Sequence, residues 1–411
     1  LAIMGRTETK IMSCWEFTLN EPEDKNFKPV KLPHDWAISA PIKKDMKQGA
    51  PQGYRDRWGI GWYRRNIVFD EIKENCVYQL EFDGIYENST VWINGIEAGG
   101  RKYGYSRFAL DITEYIHKGD NQVLVKVDNT AFPADRWYSG AGIYRSVKLL
   151  ELNKNHLNPE EIQVKTAVDG DRGIVTIMTG TIFPVKARIS DGDTCVTGES
   201  ENGVIQVEIP KVKLWSPDEP HLYNLELFLF EDDKEVDKYS LRIGVREIKM
   251  VPHKGMYING KVVKVKGLCI HQDAGCLGIA VRPEIWRDRF LKFKEIGCNA
   301  IRTAHHIPAS ELLDICDELG ILVYEESFDK WTGGAYGRYF QTEWKRDLEC
   351  MVKRDRNHPC IFMWGVGNEV ENQGQESMLR ILKMFREHLL TLDDTRPVSY
   401  AMNPHFKYEN N

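Results

Sequence analysis

The chain has 411 residues, 42% of them hydrophobic, and a net charge of −6. A single hydrophobic core stops growing at roughly 250–300 residues, so two or three domains are expected. Basic and acidic residues are intermixed rather than blocked, which gives no sign of a nucleic-acid or anionic-membrane partner. A neutral small or polymeric substrate fits better, and eleven Trp and seventeen Tyr offer flat amphipathic rings, although most such rings fill β cores. Nine cysteines, an odd number without a Cys-x-x-Cys pair, indicate neither a disulfide framework nor a zinc site. Reduced thiols point to a cytoplasmic setting. A periplasmic or secreted protein whose signal peptide has been removed is the alternative, because the chain begins at Leu1. No run approaches the ~18 apolar residues of a membrane span.

Three blocks follow in chain order. In residues 1–150, Tyr78, Leu80 and Phe82 alternate with polar positions, Val91 and Ile93 follow, and Asn94-Gly95 is a hairpin-turn signal. Val123, Val125 and Val127 repeat the period of two. Regular strands without a helical stretch predict a β-sandwich of jelly-roll type. In residues 151–252 the pattern restarts after Asn153-Lys154-Asn155 and Asn158-Pro159. Leu225, Leu227 and Leu229 alternate there with Glu226, Phe228 and Phe230, and about 100 residues of strands alone match an immunoglobulin-like sandwich.

In residues 253–411 the pattern becomes strand, helix, strand, helix. Val262-Val263-Lys264-Val265 reads as the first strand, and a helix opens at Pro283 with Trp286, Phe290 and Phe293 on one face and a stop at Gly297. Asn299–Thr303 is the next strand, a helix from Pro308 stops at Gly320, and Ile321–Tyr324 is the third strand. A helix carrying Trp344, Leu348, Met351 and Val352 leads to a fourth strand ending at Glu369, and Pro397 opens a fifth. Repeated parallel β/α units make this part of a barrel. Five strands cannot close an eight-stranded barrel, so a polypeptide continuing past Asn411 is favoured over a five-stranded open sheet.

The fourth strand is the most informative. Trp364-Gly365-Val366-Gly367-Asn368-Glu369 closes the apolar run Cys360–Met363, placing a carboxylate and an amide at the carboxyl end of a strand buried on both faces. Functional residues of barrel enzymes stand there; a Glu capping the next helix is the plainer alternative.

In order and spacing these blocks resemble glycoside hydrolase family 2, the family of β-galactosidases, β-glucuronidases and β-mannosidases. Leu32-Pro33-His34-Asp35-Trp36, Gly61–Arg65 and Gly142–Arg145 are similar to the family's first-domain signatures, and Leu214–Pro217 and Gly244–Arg246 to those of its central domain. Ile301–His305, Tyr324-Glu325-Glu326 and Gly367-Asn368-Glu369 fall on successive strand ends, as in the family's barrel.

The resemblance implies retaining hydrolysis of a terminal β-glycoside by two carboxyl groups. It makes Glu369 the acid/base, which must be protonated to serve the leaving oxygen, and Asn368 the partner of the sugar 2-hydroxyl. The nucleophile would be a Glu on a seventh strand, beyond Asn411. Glu325 and Glu326 are poor substitutes and are expected to brace strand ends. Arg302 resembles an arginine that orients catalytic carboxylates, with an ordinary barrel salt bridge as the alternative. His271 and His305 resemble histidines lining the galactose pocket, with His306 behind them; satisfied buried histidines are the alternative. Asp135 resembles an acid that the jelly roll projects toward a sugar hydroxyl, or else is a turn Asp. Trp331 either stacks on a sugar face or packs in the core.

No cofactor is expected. A zinc site lacks a His-x₃-His helix or Cys partner, and Phe328-Asp329-Lys330 does not match the Glu-x-His that holds Mg²⁺ in some β-galactosidases. The favoured substrate is a β-galactoside, as in bacterial β-galactosidases. A β-glucuronide, a β-mannoside and a non-catalytic glycan-binding fragment are the alternatives, and a homo-oligomer is left open.

Overall fold

The structure, a computed structural model, describes residues 5–403. Residues 1–4 and 404–411, which fall in the outer two of the three blocks, lie outside the described residues.

In the first block a four-stranded sheet, ordered Thr7–Lys10, Val147–Asn153, Cys76–Phe82 and Phe108–Asp111, packs against a six-stranded one. The latter runs Lys28–Val30, Trp15–Leu19, Ile60–Phe69, Gly119–Asp128, Ser89–Ile93 and Ile96–Arg101. Alternation sends Tyr78, Leu80 and Phe82 inward to share one core with Val123, Val125 and Val127. Asn94 and Gly95 both have positive φ, 49° and 80°, and join two paired strands in a two-residue turn.

The second block pairs the sheet Gln163–Asp169, Arg172–Met178, Val204–Ile209 with the sheet Cys195–Glu199, Val185–Ser190, Tyr223–Glu231, Lys234–Ile243. Leu225, Leu227 and Leu229 fill its core. Phe228, on the opposite face of that strand, is covered by the Arg188 and Lys238 cations at 5.5 and 5.4 Å. Cationic cover explains how an apolar ring sits on a solvent-facing position.

Val262 and Val263 do not start the parallel sheet. Lys261–Val263 closes an antiparallel meander with Ile248–Val251 and Gly255–Ile258, turning at Asn259-Gly260, whose φ values are 50° and 77°. The Asn-Gly hairpin signal outranks the apolar run that follows it. The first parallel strand is Gly267–Ile270.

Ala300–Thr303, Leu322–Glu326, Ile361–Asn368 and Val398–Ala401 follow it in unbroken order, every pair parallel. Helices Pro283–Glu295, Ser310–Leu319, Phe340–Asp355 and Glu376–Leu392 alternate with them. This is the partial (β/α) barrel. Gly320 ends the second helix for two reasons. Its φ is 72°, and a Cβ there would lie 2.3 Å from the Pro217 carbonyl oxygen of the second sandwich.

Buried ionic groups lock the sandwiches to the barrel. Arg101 reaches Asp347 of the third helix at 2.5 Å, with side chains 4% and 0% exposed. Ser106 and Tyr336 donate to the same carboxylate at 2.8 and 2.6 Å. Asp83 accepts from Ser310 and Arg354. Burial opposes the Asp83 charge, but Arg354 and Arg145 pull its pKa down to about 2. From the second sandwich, Arg246 donates to the carbonyls of Pro359 and Ile361 at 2.6 and 2.8 Å, and Trp215 to that of Asp317 at 2.9 Å.

At this lower end of the barrel the His358 imidazole lies 2.6 Å from Asp317. Burial disfavours its charge, yet the Asp317 carboxylate overrides burial and pushes His358 up to about 9. A folded-state pKa above the ordinary ~6.5 stabilises the fold fully below pH ~6.5 and ceases to do so as pH rises through about 9. The thermal midpoint should therefore fall between these limits. His358→Asn should flatten that fall, and an unchanged slope in the variant would refute the imidazolium.

Candidate active site

Most functional candidates of the barrel stand where its strands end. His271 follows the first strand, His305 the second, Glu326 ends the third, Asn368 ends the fourth and Glu369 follows it. This is the carboxyl face, where a barrel presents its loops.

Arg302 organises that face from within. Its Nε donates to Glu326 Oε2 at 2.5 Å and its Nη2 to Asn368 Oδ1 at 2.8 Å, so one rigid fork ties three strands together. The other Glu326 oxygen lies 2.8 Å from His305 Nδ1. Glu326 has no exposed surface and its two oxygens are occupied as braces. Glu325, one residue earlier on the strand, faces the opposite way, toward Asp355 at the end of the third helix. Burial and then the Asp355 charge push the Glu325 carboxyl well above its ordinary range, which favours its neutral form.

Asn368 is fixed at both ends of its amide. Its oxygen accepts from Arg302, and its nitrogen donates to Asp329 Oδ1 at 2.9 Å. A donor-only guanidinium on one side and a carboxylate on the other leave no doubt which way the amide points. Its backbone N–H also donates to the Asp329 carbonyl at 2.8 Å.

Glu369 leaves the strand in the left-handed region, with φ 46°. For a residue with a Cβ this costs on the order of 1–2 kcal/mol, and such outliers gather at working sites. Two hydrogen bonds hold the backbone there: its N–H donates to the Ala401 carbonyl at 2.8 Å, and Lys330 Nζ donates to its own carbonyl. Its carboxylate, 33% exposed, lies 3.3 Å from Arg136 Nη1 and 4.0 Å from Lys330 Nζ.

The first sandwich supplies one wall. Asp135 is half-buried and accepts from the Tyr86 and Tyr105 hydroxyls at 2.5 and 3.4 Å. Burial pushes its pKa up to about 6. Trp137 stacks on His271, ring centres 5.6 Å apart and planes 15° apart, and meets His305 edge-on at 5.4 Å. Burial lowers the His271 pKa, which keeps that ring neutral. His306 lies behind, stacked on Tyr105 at 4.0 Å, its nitrogens engaged by the Gln272 N–H and the Ile307 carbonyl.

Asp135, Arg302, His271, His305, Asn368 and Glu369 are thus gathered around one mouth. Trp331 is not among them. It is 1% exposed, its indole N–H donates to the Val366 carbonyl at 2.7 Å, and it packs on Phe385. A sugar-stacking role is corrected to core packing, and Gly367 permits it, since a Cβ there would stand 2.4 Å from the Trp331 nitrogen. Arg136, Asp329 and Trp137 belong to the mouth but were not singled out from the sequence. Adjacency of Arg136 and Trp137 to Asp135 was the available signal.

The residues do not fit a divalent cation beside Glu369. Lys330 and Arg136 place cationic side chains there, and Phe328 is buried in the core. Among the described residues, the cluster spaced to hold a metal is Asp317, His358 and Cys360, at the other end of the barrel. There the Asp317 oxygens already accept from the His358 ring and the Cys360 N–H.

Family profiles match the chain in three consecutive stretches. These are the glycosyl hydrolases family 2 sugar binding domain over residues 7–153, a profile described simply as glycosyl hydrolases family 2 over 151–246 and the family 2 TIM barrel domain over 249–410. The chain belongs to glycosyl hydrolase family 2. Among its relatives, a β-galactosidase of Bacteroides ovatus, BoGH2A, is 36% identical, the alignment covering 94% of this chain and 49% of that protein. A β-glucuronidase of Bacteroides fragilis is 27% identical over 97% of this chain and 61% of that protein. The crystal structure of a family 2 member from Bacteroides cellulosilyticus superposes with a TM-score of 0.91 at 33% identity, covering 96% of this chain and 56% of that one. The chain spans about half the length or less of the first relatives it matches.

The neutral Glu325 gives a test. Glu325→Gln replaces one neutral group by another of nearly the same shape and should change stability by less than about 1 kcal/mol. Asp355→Asn removes the charge that Arg354 grips through Nε and Nη2 at 2.7 Å each. It should cost about 3–5 kcal/mol, as breaking a buried pair does. Denaturant unfolding of both variants measures the contrast, and equal losses would mean that Glu325 is ionised.

Proposed function

We propose that this chain supplies the acid/base and much of the sugar-binding wall of a retaining exo-β-glycosidase. The observation that carries the reading is Glu369, held in a left-handed conformation at a strand's carboxyl end beside an amide whose orientation is fixed. In this proposal Glu369 protonates the leaving oxygen and then takes a proton from the water that completes the second displacement. A nucleophilic carboxylate about 5–5.5 Å from it is required by retention. Glu326 is spent on Arg302 and His305 and Glu325 is buried facing Asp355, so the reading takes the nucleophile from outside these residues.

Asn368 has the right group left over. An amide nitrogen carries two N–H donors, and one is used on Asp329. The second can meet the sugar 2-hydroxyl, a contact that strengthens as positive charge develops at the anomeric carbon. Asp135 is proposed to bind another hydroxyl, and His271 and His305 to line the same pocket, with Trp137 setting the tilt of both rings.

Relatives named β-galactosidase and relatives named β-glucuronidase both align along most of the chain. The substrate proposed is therefore a terminal β-glycoside of galactose or glucuronic acid. Hydrolysis of nitrophenyl β-galactoside and β-glucuronide by the longest natural form separates them, and turnover of neither would refute the enzyme reading.

The role of Glu369 has its own signature. Glu369→Gln should lower kcat/KM by about 10²–10⁴ for a glycoside with a poor leaving group and by less than about tenfold for a dinitrophenyl glycoside, whose leaving group needs no proton. Equal loss on both would remove Glu369 from the acid role.

A further inference from the structure

We infer that Arg136, projected by the first sandwich, is a positioning residue for the Glu369 carboxylate, acting through Asp329. The inference rests on the acid/base reading above. Arg136 Nη2 lies 2.9 and 3.2 Å from the two Asp329 oxygens, and its Nε donates to Oδ2 at 3.3 Å. A guanidinium is planar and rigid, so once two of its nitrogens engage one carboxylate the direction of the third is set. That third nitrogen, Nη1, points to Glu369 Oε2 at 3.3 Å.

Both ends of this lever are anchored. Asp329 is held by the Asn368 side chain at 2.9 Å, and its own carbonyl accepts the Asn368 N–H. Around Arg136, Gln48 donates to the Ala134 and Asp135 carbonyls at 2.7 and 3.0 Å. Gln52 donates to those of Asp135 and Trp137 at 2.7 and 2.6 Å. Trp137 is wedged against His271. Two glutamine amides and a stacked indole therefore fix the backbone from which Arg136 extends.

Stability does not account for this arrangement. The Arg136 side chain is 44% exposed, and ion pairs so open to water contribute about 0–1 kcal/mol. Orientation does account for it. A glutamate side chain at a strand end has three rotatable bonds, and a proton donor must meet the leaving oxygen within hydrogen-bond reach. Lys330 cannot substitute for Arg136, because it grips the Glu369 carbonyl while standing 4.0 Å from the carboxylate. The contact from Arg136 is long enough to yield when the carboxyl must carry a proton. One fork thus aligns Glu369 and, through Asp329, the amide of Asn368.

The test uses the full-length protein with Arg136→Gln, Arg136→Lys and Asp329→Asn, on methyl and dinitrophenyl β-glycosides of whichever sugar the unaltered protein cleaves. Arg136→Gln should lower kcat on the methyl glycoside about 10–100-fold with KM little changed, and on the dinitrophenyl glycoside no more than about threefold. Arg136→Lys should lose nearly as much, since one ammonium cannot span both carboxylates. Asp329→Asn should reproduce the loss, and the double variant Arg136→Gln/Asp329→Asn should lose little more than either alone. Equal losses on the two leaving groups, or full activity with Lys, overturns the inference. A crystal structure of Arg136→Gln decides it without turnover. A displaced Glu369 carboxylate supports the inference, and one that keeps its place overturns it. Absence of turnover in the unaltered protein would instead count against the glycosidase reading.

Discussion

Asp347 is a carboxylate without access to water, and the geometry of the mouth depends on how it is neutralised. Removing such a charge from solvent costs several kcal/mol unless a partner and further donors surround it. Arg101 and Ser106 come from the first sandwich and Tyr336 from the barrel, so the charge is satisfied only when the two domains are docked. Undocked, Arg101 and Asp347 would each return to water or remain buried alone. The same docking brings Asp135, Arg136 and Trp137 over the strand ends. The sandwich is therefore part of the site's geometry, and its wall is placed by an ionic contact remote from the mouth.

Adjacent glutamates show how the strand's period of two allots chemistry. Glu326 points into the barrel and serves as a brace between Arg302 and His305. Glu325 points into the helix layer, where the nearest charge is another carboxylate and the stable form is neutral. The sequence pair Glu-Glu looks like a duplicated acid. In space it is two unrelated groups, neither free to attack a sugar.

Local pattern carried most of the fold. Period-two apolar positions at Tyr78, Leu80 and Phe82, the Asn94-Gly95 turn and the helix stops at Gly297 and Gly320 all express backbone chemistry within a few residues, and each was readable. Val262–Val265 reads as the first strand of the parallel sheet because a short apolar run looks alike in either sheet, and Asn259-Gly260 is the stronger cue. The strand-end residues of the site were readable by resemblance. Arg136 and Asp329 were not, because their pairing joins positions 193 residues apart and no local pattern encodes it. Trp331 misled for a related reason, since the space it fills exists only because Gly367 lacks a side chain.

That last feature bears on how substrate range can change. Gly365 gives up its side-chain volume to Tyr324 as Gly367 does to Trp331, the would-be Cβ atoms lying 2.4 Å from each ring. At these two positions the strand that delivers Asn368 and Glu369 leaves no room for a side chain unless a ring moves. The short stretch 134–137, which a separate domain lends to the mouth, contains no glycine under such a constraint. A wall borrowed in this way can change its side chains without disturbing the strand that carries Asn368 and Glu369.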